Sequence, residues 1–389
     1  MAKKKANGEG SIYKDEKNNR WRGSLSVGRD PKGKLIRKQF YGKTKKEVLD
    51  KMNDYRYKQV NDLLPIDNNI TLEQYLRYWL FEVKINEIKP STLERYEGIL
   101  RNYIVGSAVA NIKLKDLRTS HLQAYYNNLS LTSSVNVIHN LNKFIKSGLS
   151  QALNENYISK NYASLVTLKK KEQKKEVEYL TIEQQNRFLA VCKGHRLGAL
   201  FYMALSTGLR LGELLALTWN DIDFAEAIVS VNKNVKLVGI PDKNGNKEYK
   251  TIVQEPKTKS SIRKVPIPVT ALDVLKQHKK LQLHERVKAG ELYENNNIVF
   301  ANPLGGYTNE SNLRKIYKRL LIKSEIEEVK FHSLRHTYAT TLFIKGVSPK
   351  VVQALMGHSD IATTMNIYTH VNEVAKVEAV QKLNEVFNF

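Results

Sequence analysis

The sequence predicts a multidomain fold: a small basic three-stranded sheet plus one helix, then an all-α helical domain, then a mixed, mainly-α domain with a small antiparallel sheet. Three observations carry that prediction. At 389 residues the chain exceeds one ordinary domain. Its apolar residues alternate near the start, then recur at helical spacing, then mix the two periods. A lysine-rich stretch separates the second texture from the third. The expected divisions are 1–66, 67–167, a basic linker at 168–180, and 181–389 ending in a helix.

In the first region "RWRGSLSVG" and "LIRKQFYG" alternate about the turn "RDPKGK", a hairpin pattern, and "SIYKD" adds a first strand. "TKKEVLDKMNDYRYKQV" (44–60) then sets Val48, Met52 and Tyr55 along one helix face. Residues 71–165 show only helical periods, enough for four or five helices. Two of the starts read as capping boxes, Thr71 with Gln74 and Ser91 with Glu94. The five lysines at 169, 170, 171, 174 and 175 are too hydrophilic for a core. From Thr181 two helices lead into "GLRLGELLALTWNDID". "AIVSVNKNVKLVG", "EYKTIVQEP" and "IRKVPIP" follow as strands around the turn "PDKNGNKE", and helices resume from Thr270. The last stretch keeps apolar residues at 374, 377, 380, 383 and 387, an amphipathic helix whose partner face periodicity does not identify. No fixed-period repeat supports a solenoid.

Charge narrows the functional classes. Lys plus Arg is 63 against 39 acidic residues, a net +24. Residues 1–60 hold 18 basic and 7 acidic residues, so 18 − 7 = +11 of that excess sits there, interleaved with Trp21, Phe40 and Tyr41. A solvated surface accounts for such a balance, but the interleaved aromatics point to nucleic acid bound through the sheet face. No run reaches the length of an apolar membrane span. "MAKKKANGEG" has no apolar segment behind it and does not read as a secretory signal. The single cysteine, Cys192, rules out an internal disulfide and a cysteine zinc cluster, and fits a reducing cytoplasm. In "RFLAVCKG" it reads as a small buried residue.

Six residues in the last 180 positions are candidates for chemistry: Arg210, Lys257, His332, Arg335, His358 and Tyr368. Arg210 heads a helix after a glycine. Lys257 lies in the polar turn "EPKTKSSIRKVPIP". His332 and Arg335 are three apart, on one helix face. His358 follows "SPKVVQALMG", where Ser348 and Pro349 make a start and Gly357 a stop. Each has a plain structural alternative: Arg210 pairing with Glu213, Lys257 facing solvent, His332 capping its helix. His332 and His336 are also spaced i, i+4 as zinc ligands are, but the glutamate of the hydrolytic HExxH pattern is missing. Taken together the six suit phosphoryl transfer. Guanidinium grips phosphate oxygens with paired donors, histidines exchange protons near neutral pH, and a tyrosine hydroxyl of pKa about 10 becomes a nucleophile inside such a cluster. No acidic cluster of the kind that holds Mg²⁺ stands in the sequence, so positive side chains would stabilise the transition state.

The pieces "TGLRLGELLAL", "PKTKSSIRKVPI", "HSLRHTYAT" and "MGHSDIATTMNIYTHV" resemble, in order, the catalytic boxes of the tyrosine recombinases, the phage lambda integrase family, over roughly residues 181–375. The basic module at the start is similar to the arm-site DNA-binding domain of integrases from phages and, more closely, conjugative transposons. Residues 67–167 are similar to the helical core-binding domain. The resemblance implies a site-specific recombinase that acts on double-stranded DNA, integrating and excising a mobile element without metal, ATP or other cofactor. It implies Arg210 and Arg335 as a phosphate clamp, Lys257 as general acid, His332 as an aid to proton transfer from Tyr368, His358 as a residue that bonds the phosphate, and Tyr368 as the nucleophile forming a 3′-phosphotyrosyl link. It further implies a homotetramer on two DNA sites, with an excision factor as an additional partner, in the cytoplasm and without a membrane. Two departures stand out. His358 and Tyr368 are ten apart where nine is commoner, and "KTK" offers Lys259 as a second candidate lysine. His370, beside the tyrosine, reads as structural. A type IB topoisomerase would use the same residues without paired sites, and a DNA-binding regulator would need none of them.

Overall fold

The computed structural model describes residues 10–29, 34–60, 69–170, 178–256 and 259–369. The linker residues 171–177, Lys257, His370 and the amphipathic tail lie outside the described residues, as do residues 30–33 of the expected turn. The chain divides into two compact units, residues 1–171 with 241–246, and residues 172–240 with 247–389.

In the first unit, β1 (Ser11–Asp15), β2 (Arg20–Arg29) and β3 (Leu35–Gly42) form an antiparallel sheet in that order, with a bulge between Ser26 and Gly28. Helix α1 (Lys45–Val60) covers it, burying Val48 and Met52 against Leu25. Alternation puts the neighbouring residues on the other face. There Arg22 stands opposite Tyr13 and Tyr41 in register, and the Arg20 guanidinium lies 4.3 Å over the Tyr41 ring.

Four helices follow: α2 (Leu72–Tyr78), α3 (Pro90–Ile99), α4 (Thr119–Leu129) and α5 (Val135–Asn154). The first two continue as π-helical turns, Trp79–Lys84 and Leu100–Ile104. Their core includes Trp79, Tyr96 and Phe144, with Phe144 packed edge to face against the other two. The Thr71–Gln74 capping box forms with both hydrogen bonds, at 3.3 and 3.0 Å. The expected Ser91–Glu94 box does not. Pro90 occupies the first helical position, which makes Lys89 the cap residue and carries Ser91 inside the first turn.

The second unit begins with α6 (Ile182–Cys192), α7 (Gly198–Thr207) and α8 (Leu211–Ala216). A three-stranded antiparallel sheet comes next, ordered β4 (Ile222–Asp223), β5 (Ile228–Val231) and β8 (Arg263–Pro266), with a separate hairpin of β6 (Asn234–Pro241) and β7 (Lys247–Gln254). The stretch read as one strand, "AIVSVNKNVKLVG", is therefore two strands in different sheets. The chain breaks at Asn232 and Lys233, whose side chains turn to the buried Asp221 at 3.2 and 3.1 Å. Helices α9 (Val269–Ala289), α10 (Glu310–Lys323), α11 (His332–Ile344), α12 (Pro349–Met356) and α13 (361–369) complete the unit. Phe188, Phe201, Tyr317 and Phe331 interlock in its core. Leu180, from the end of the expected linker, is buried there with its N–H on Thr337. Cys192 is buried as expected, and desolvation pushes its thiol up to about 12. Among the described residues no helix is long and apolar enough to cross a membrane.

Candidate active site

Two helix ends and one helix start converge in the second unit. Helix α7 stops at Gly208, in the left-handed region at φ +62°, and α12 stops at Gly357, at φ +63°. Both stops free carbonyls of the last turn. Arg335, on the first turn of α11, takes them up: its guanidinium donates to Gly208 O at 2.6 Å and to Met356 O. It is only 2% exposed. Burial first, then the neighbouring charge of Arg210, pulls its pKa down to about 9. Its Nε has no partner among the described residues, and no carboxylate is hydrogen-bonded to it there.

Arg210 precedes α8 and donates to Glu213 Oε1 at 2.7 Å, while its backbone N–H donates to Oε2 at 2.8 Å. The same carboxylate receives Arg263 from β8 at 2.9 and 3.2 Å. Glu213 is 2% exposed and Arg263 5%. Burial pushes the Glu213 carboxyl up, but hydrogen bonding and charge from Arg263 and Arg210 outweigh it and leave it below its ordinary value. One buried carboxylate thus aligns two guanidinium groups. Arg263 is further fixed by its Nε on Leu355 O, 2.8 Å away.

The histidines stand on the same cleft. His332 opens α11, and its ring meets that of His336 edge to face, centroids 4.8 Å apart. His332 is exposed to solvent at the cleft, although protein atoms crowd around its ring. Desolvation, then the charges of His336, Arg335 and Arg210, push it down to about 4. His358 follows Gly357 and is pushed down to about 3, by desolvation and then by Arg335 and Arg210. Its Nδ1 lies 2.9 Å from the fully buried Thr364 hydroxyl of α13. Both rings are therefore neutral at physiological pH.

Arg210, His332, Arg335 and His358 border one cleft of about 460 Å³, together with Glu213, Asn234, Pro256, Ser261, Gly357, Ser359 and Thr363. Tyr368 is not among its lining. It sits on α13, half-buried, with its ring on Phe343 at 5.0 Å. The residue nine positions after His358 is Ile367, buried in the small core of α11, α12 and α13. Lys259 lies in a 3-10 turn, Lys259–Ser261. Among the described residues, no group of three or more His, Cys, Asp or Glu side chains is placed to hold a metal ion. Arg263 and Thr364 escaped the sequence reading. A signal existed for Arg263: alternation puts it on the same strand face as the buried Val265.

Comparison with known proteins gives the family and the fold. Residues 178–374 match the phage integrase family, and residues 71–130 match its N-terminal SAM-like domain. A protein described as tyrosine recombinase XerC-like, from Caldanaerobacter subterraneus subsp. tengcongensis, is 44% identical over 94% of this chain and 96% of its own. The ICEBs1 integrase of Bacillus subtilis is 23% identical over 95% and 98%. Among solved structures, the Tn1549 transposon integrase in complex with transposon right end DNA superposes with a TM-score of 0.64 at 22% identity, covering 81% of this chain and all of that one. The lambda integrase tetramer bound to a Holliday junction gives 0.54 at 18%, covering 94% and 96%. The chain belongs to the phage integrase family, the tyrosine recombinases: it is a site-specific enzyme of DNA breakage and rejoining.

Proposed function

We propose that Tyr368 cleaves DNA at this cleft. The carrying observation is the pair Arg210 and Arg335 on one cleft: Arg210 is aligned by Glu213, which it shares with Arg263, while Arg335 is held by the carbonyls of Gly208 and Met356 and has no anion of its own among the described residues. A scissile phosphate would supply that anion. The Tyr368 oxygen then attacks phosphorus, its proton passes to the neutral His332, and the bond to the 5′ oxygen breaks. Lys257 protonates the leaving 5′ oxygen, an assignment supported by Pro256, its immediate neighbour, lying at the cleft rim; Lys259 is the alternative. His358 and both arginines hold the non-bridging oxygens, which carry the developing charge. The product is a 3′-phosphotyrosyl link. It conserves the phosphodiester, so a 5′ hydroxyl of another strand reverses the step without ATP, and the reading assigns no metal. Tyr368 must swing from Phe343 toward the cleft to react.

In this reading residues 1–66 bind arm sites, 67–167 bind the core site, 168–180 run along the phosphate backbone, and 181–389 perform the chemistry. Two DNA sites are brought together by a homotetramer, with the C-terminal helix docking in cis or on a neighbour. The reaction integrates and excises a mobile element, with an excision factor as partner, in the cytoplasm. The likeness to the ICEBs1 integrase and to the Tn1549 transposon integrase bound to transposon right end DNA supports this assignment.

Covalent trapping tests it. A nicked suicide duplex carrying the element's end is incubated with the enzyme in EDTA. The expected result is a protein–DNA adduct on a denaturing gel that Tyr368→Phe abolishes. Tight binding with no adduct from the unaltered enzyme overturns the reading.

A further inference from the structure

We propose that Thr364 sets the tautomer of His358, so that the cleft-facing nitrogen is a hydrogen-bond donor and the nucleophile-bearing helix controls it. Thr364 is fully buried and its Oγ1 lies 2.9 Å from His358 Nδ1. Among the described residues it has no other hydrogen-bond acceptor in reach. A buried hydroxyl left without an acceptor is costly. Its proton therefore goes to Nδ1, which must be unprotonated. A neutral imidazole carries one proton, so that proton is on Nε2. Nδ1 is engaged in the interior and His358 borders the cleft, which leaves Nε2–H as the group offered there.

The opposite assignment, with Nδ1–H donating to the threonine, strands the hydroxyl proton and turns a lone pair toward the cleft. A lone pair there would repel the oxygens of a phosphate, whereas Nε2–H adds a donor beside Arg210 and Arg335. The backbone of His358 is held independently: its N–H donates to Gln353 O at 3.3 Å and its carbonyl accepts from Gln353 Nε2 at 3.1 Å. Thr364 therefore governs the ring rather than the main chain.

Placement gives the bond a second consequence. Thr364 and Tyr368 are i and i+4 on α13, so they share a face. The helix that carries the tyrosine also carries the hydroxyl that makes His358 a donor. When α13 is seated, the phosphate-binding histidine is in its donor form; when α13 leaves, the ring loses that constraint. Thr364 is thus a positioning residue that ties phosphate binding to the seating of the nucleophile helix.

The inference rests on the proposed role of His358 only for what the donor does, and its test separates the two. Histidine-labelled, DNA-free protein is examined by nitrogen NMR at neutral pH, with His358→Phe assigning the resonances. The expected spectrum has Nε2 of His358 in the protonated range and Nδ1 in the unprotonated range. In Thr364→Val, which keeps shape and removes the hydroxyl, the two shifts move toward each other as the tautomers mix, and adduct formation falls roughly tenfold. Thr364→Ser restores both. A protonated Nδ1 in the unaltered enzyme overturns the inference whatever the variants do, as does a Thr364→Val protein with unchanged shifts. Should Thr364→Val fail to fold, the spectrum of the unaltered enzyme and of Thr364→Ser decides alone. If the tautomer is as stated but Thr364→Val cleaves normally, the chemical role assigned to His358 is what fails.

Discussion

Glu213 shows how one side chain organises this cleft. Two guanidinium groups share it, both partners of the inner pair are nearly excluded from water, and removing one partner of a buried pair costs about 3–5 kcal/mol. The histidines are governed first by burial and then by nearby positive charge. His195, His278, His332, His336 and His358 all have folded-state values below the ordinary one, burial being the first cause in each. Below pH 6.5 the unfolded chain takes up protons that the folded chain resists, and each such proton is worth about 1.4 kcal/mol per pH unit. Stability is therefore full above pH 6.5 and is lost as the pH falls toward about 4, the value for His332, and about 3, that for His358. Solvent screens the His332 shift most, because that residue is exposed at the cleft. Glu213, whose value is lowered, adds a loss of the same sign only below the carboxylate range. Urea midpoints should drop from pH 7 to pH 5 by an amount corresponding to on the order of 1–3 kcal/mol. The drop should shrink in the double variant His332→Asn, His358→Asn. A flat profile over that range would contradict the charge state assigned to the cleft.

At the level of elements, the site is an assembly of helix ends. The C-termini of α7 and α12 present carbonyls to Arg335, and Gly357 O lies 3.4 Å from Arg210. A cation at a helix C-terminus is favoured by the helix dipole. The two glycine stops make this possible, and Gly208 has a second constraint: a Cβ there would lie 2.3 Å from the Tyr338 ring. Gly208→Ala therefore adds about 1–2 kcal/mol of backbone strain and pushes the carbonyl off Arg335. Adduct formation should fall by about 100-fold, the scale set by an ångström of misplacement, while gel-shift affinity stays near that of the unaltered enzyme. Unchanged trapping with unchanged thermal stability would show that this corner does not position Arg335. Stops and starts of this kind were legible in the sequence because they are local: Thr71 with Gln74, Pro349 after Ser348, Gly357 at the end of α12. Apart from the Ser91–Glu94 box, which Pro90 displaces by starting the helix at the preceding residue, the failures were non-local. Arg263 and Glu213 are 50 residues apart and meet only where β8 packs beside α8 in the folded chain. The break between β5 and β6 is decided by Asp221 on another segment. That Tyr368 rests on Phe343 rather than in the cleft follows from tertiary packing, which spacing along the chain does not encode.

Across the whole molecule, charge is divided between two tasks. In the proposed function the cleft uses a few desolvated cations for chemistry, whereas much of the net +24 lies elsewhere, +11 of it in residues 1–60. On the open face of the β1–β3 sheet, Arg20 and Arg22 stack with Tyr13 and Tyr41, which holds flat guanidinium groups outward on a rigid surface. Phosphate contacts made there would supply sequence-independent affinity and a steep salt dependence, each contributing about 0.9 to the slope of log K against log salt. Affinity and chemistry should accordingly separate by mutation. The double variant Arg20→Ala, Arg22→Ala is expected to lower the slope for duplex binding, measured by fluorescence anisotropy over a salt series, by about 2. Neither residue belongs to the second unit, so the same variant at saturating protein should form the adduct at the rate of the unaltered enzyme. An unaltered slope would mean that this sheet face holds no phosphate. A lowered slope with slowed trapping would mean that DNA held by the sheet is needed to seat the phosphate between Arg210 and Arg335.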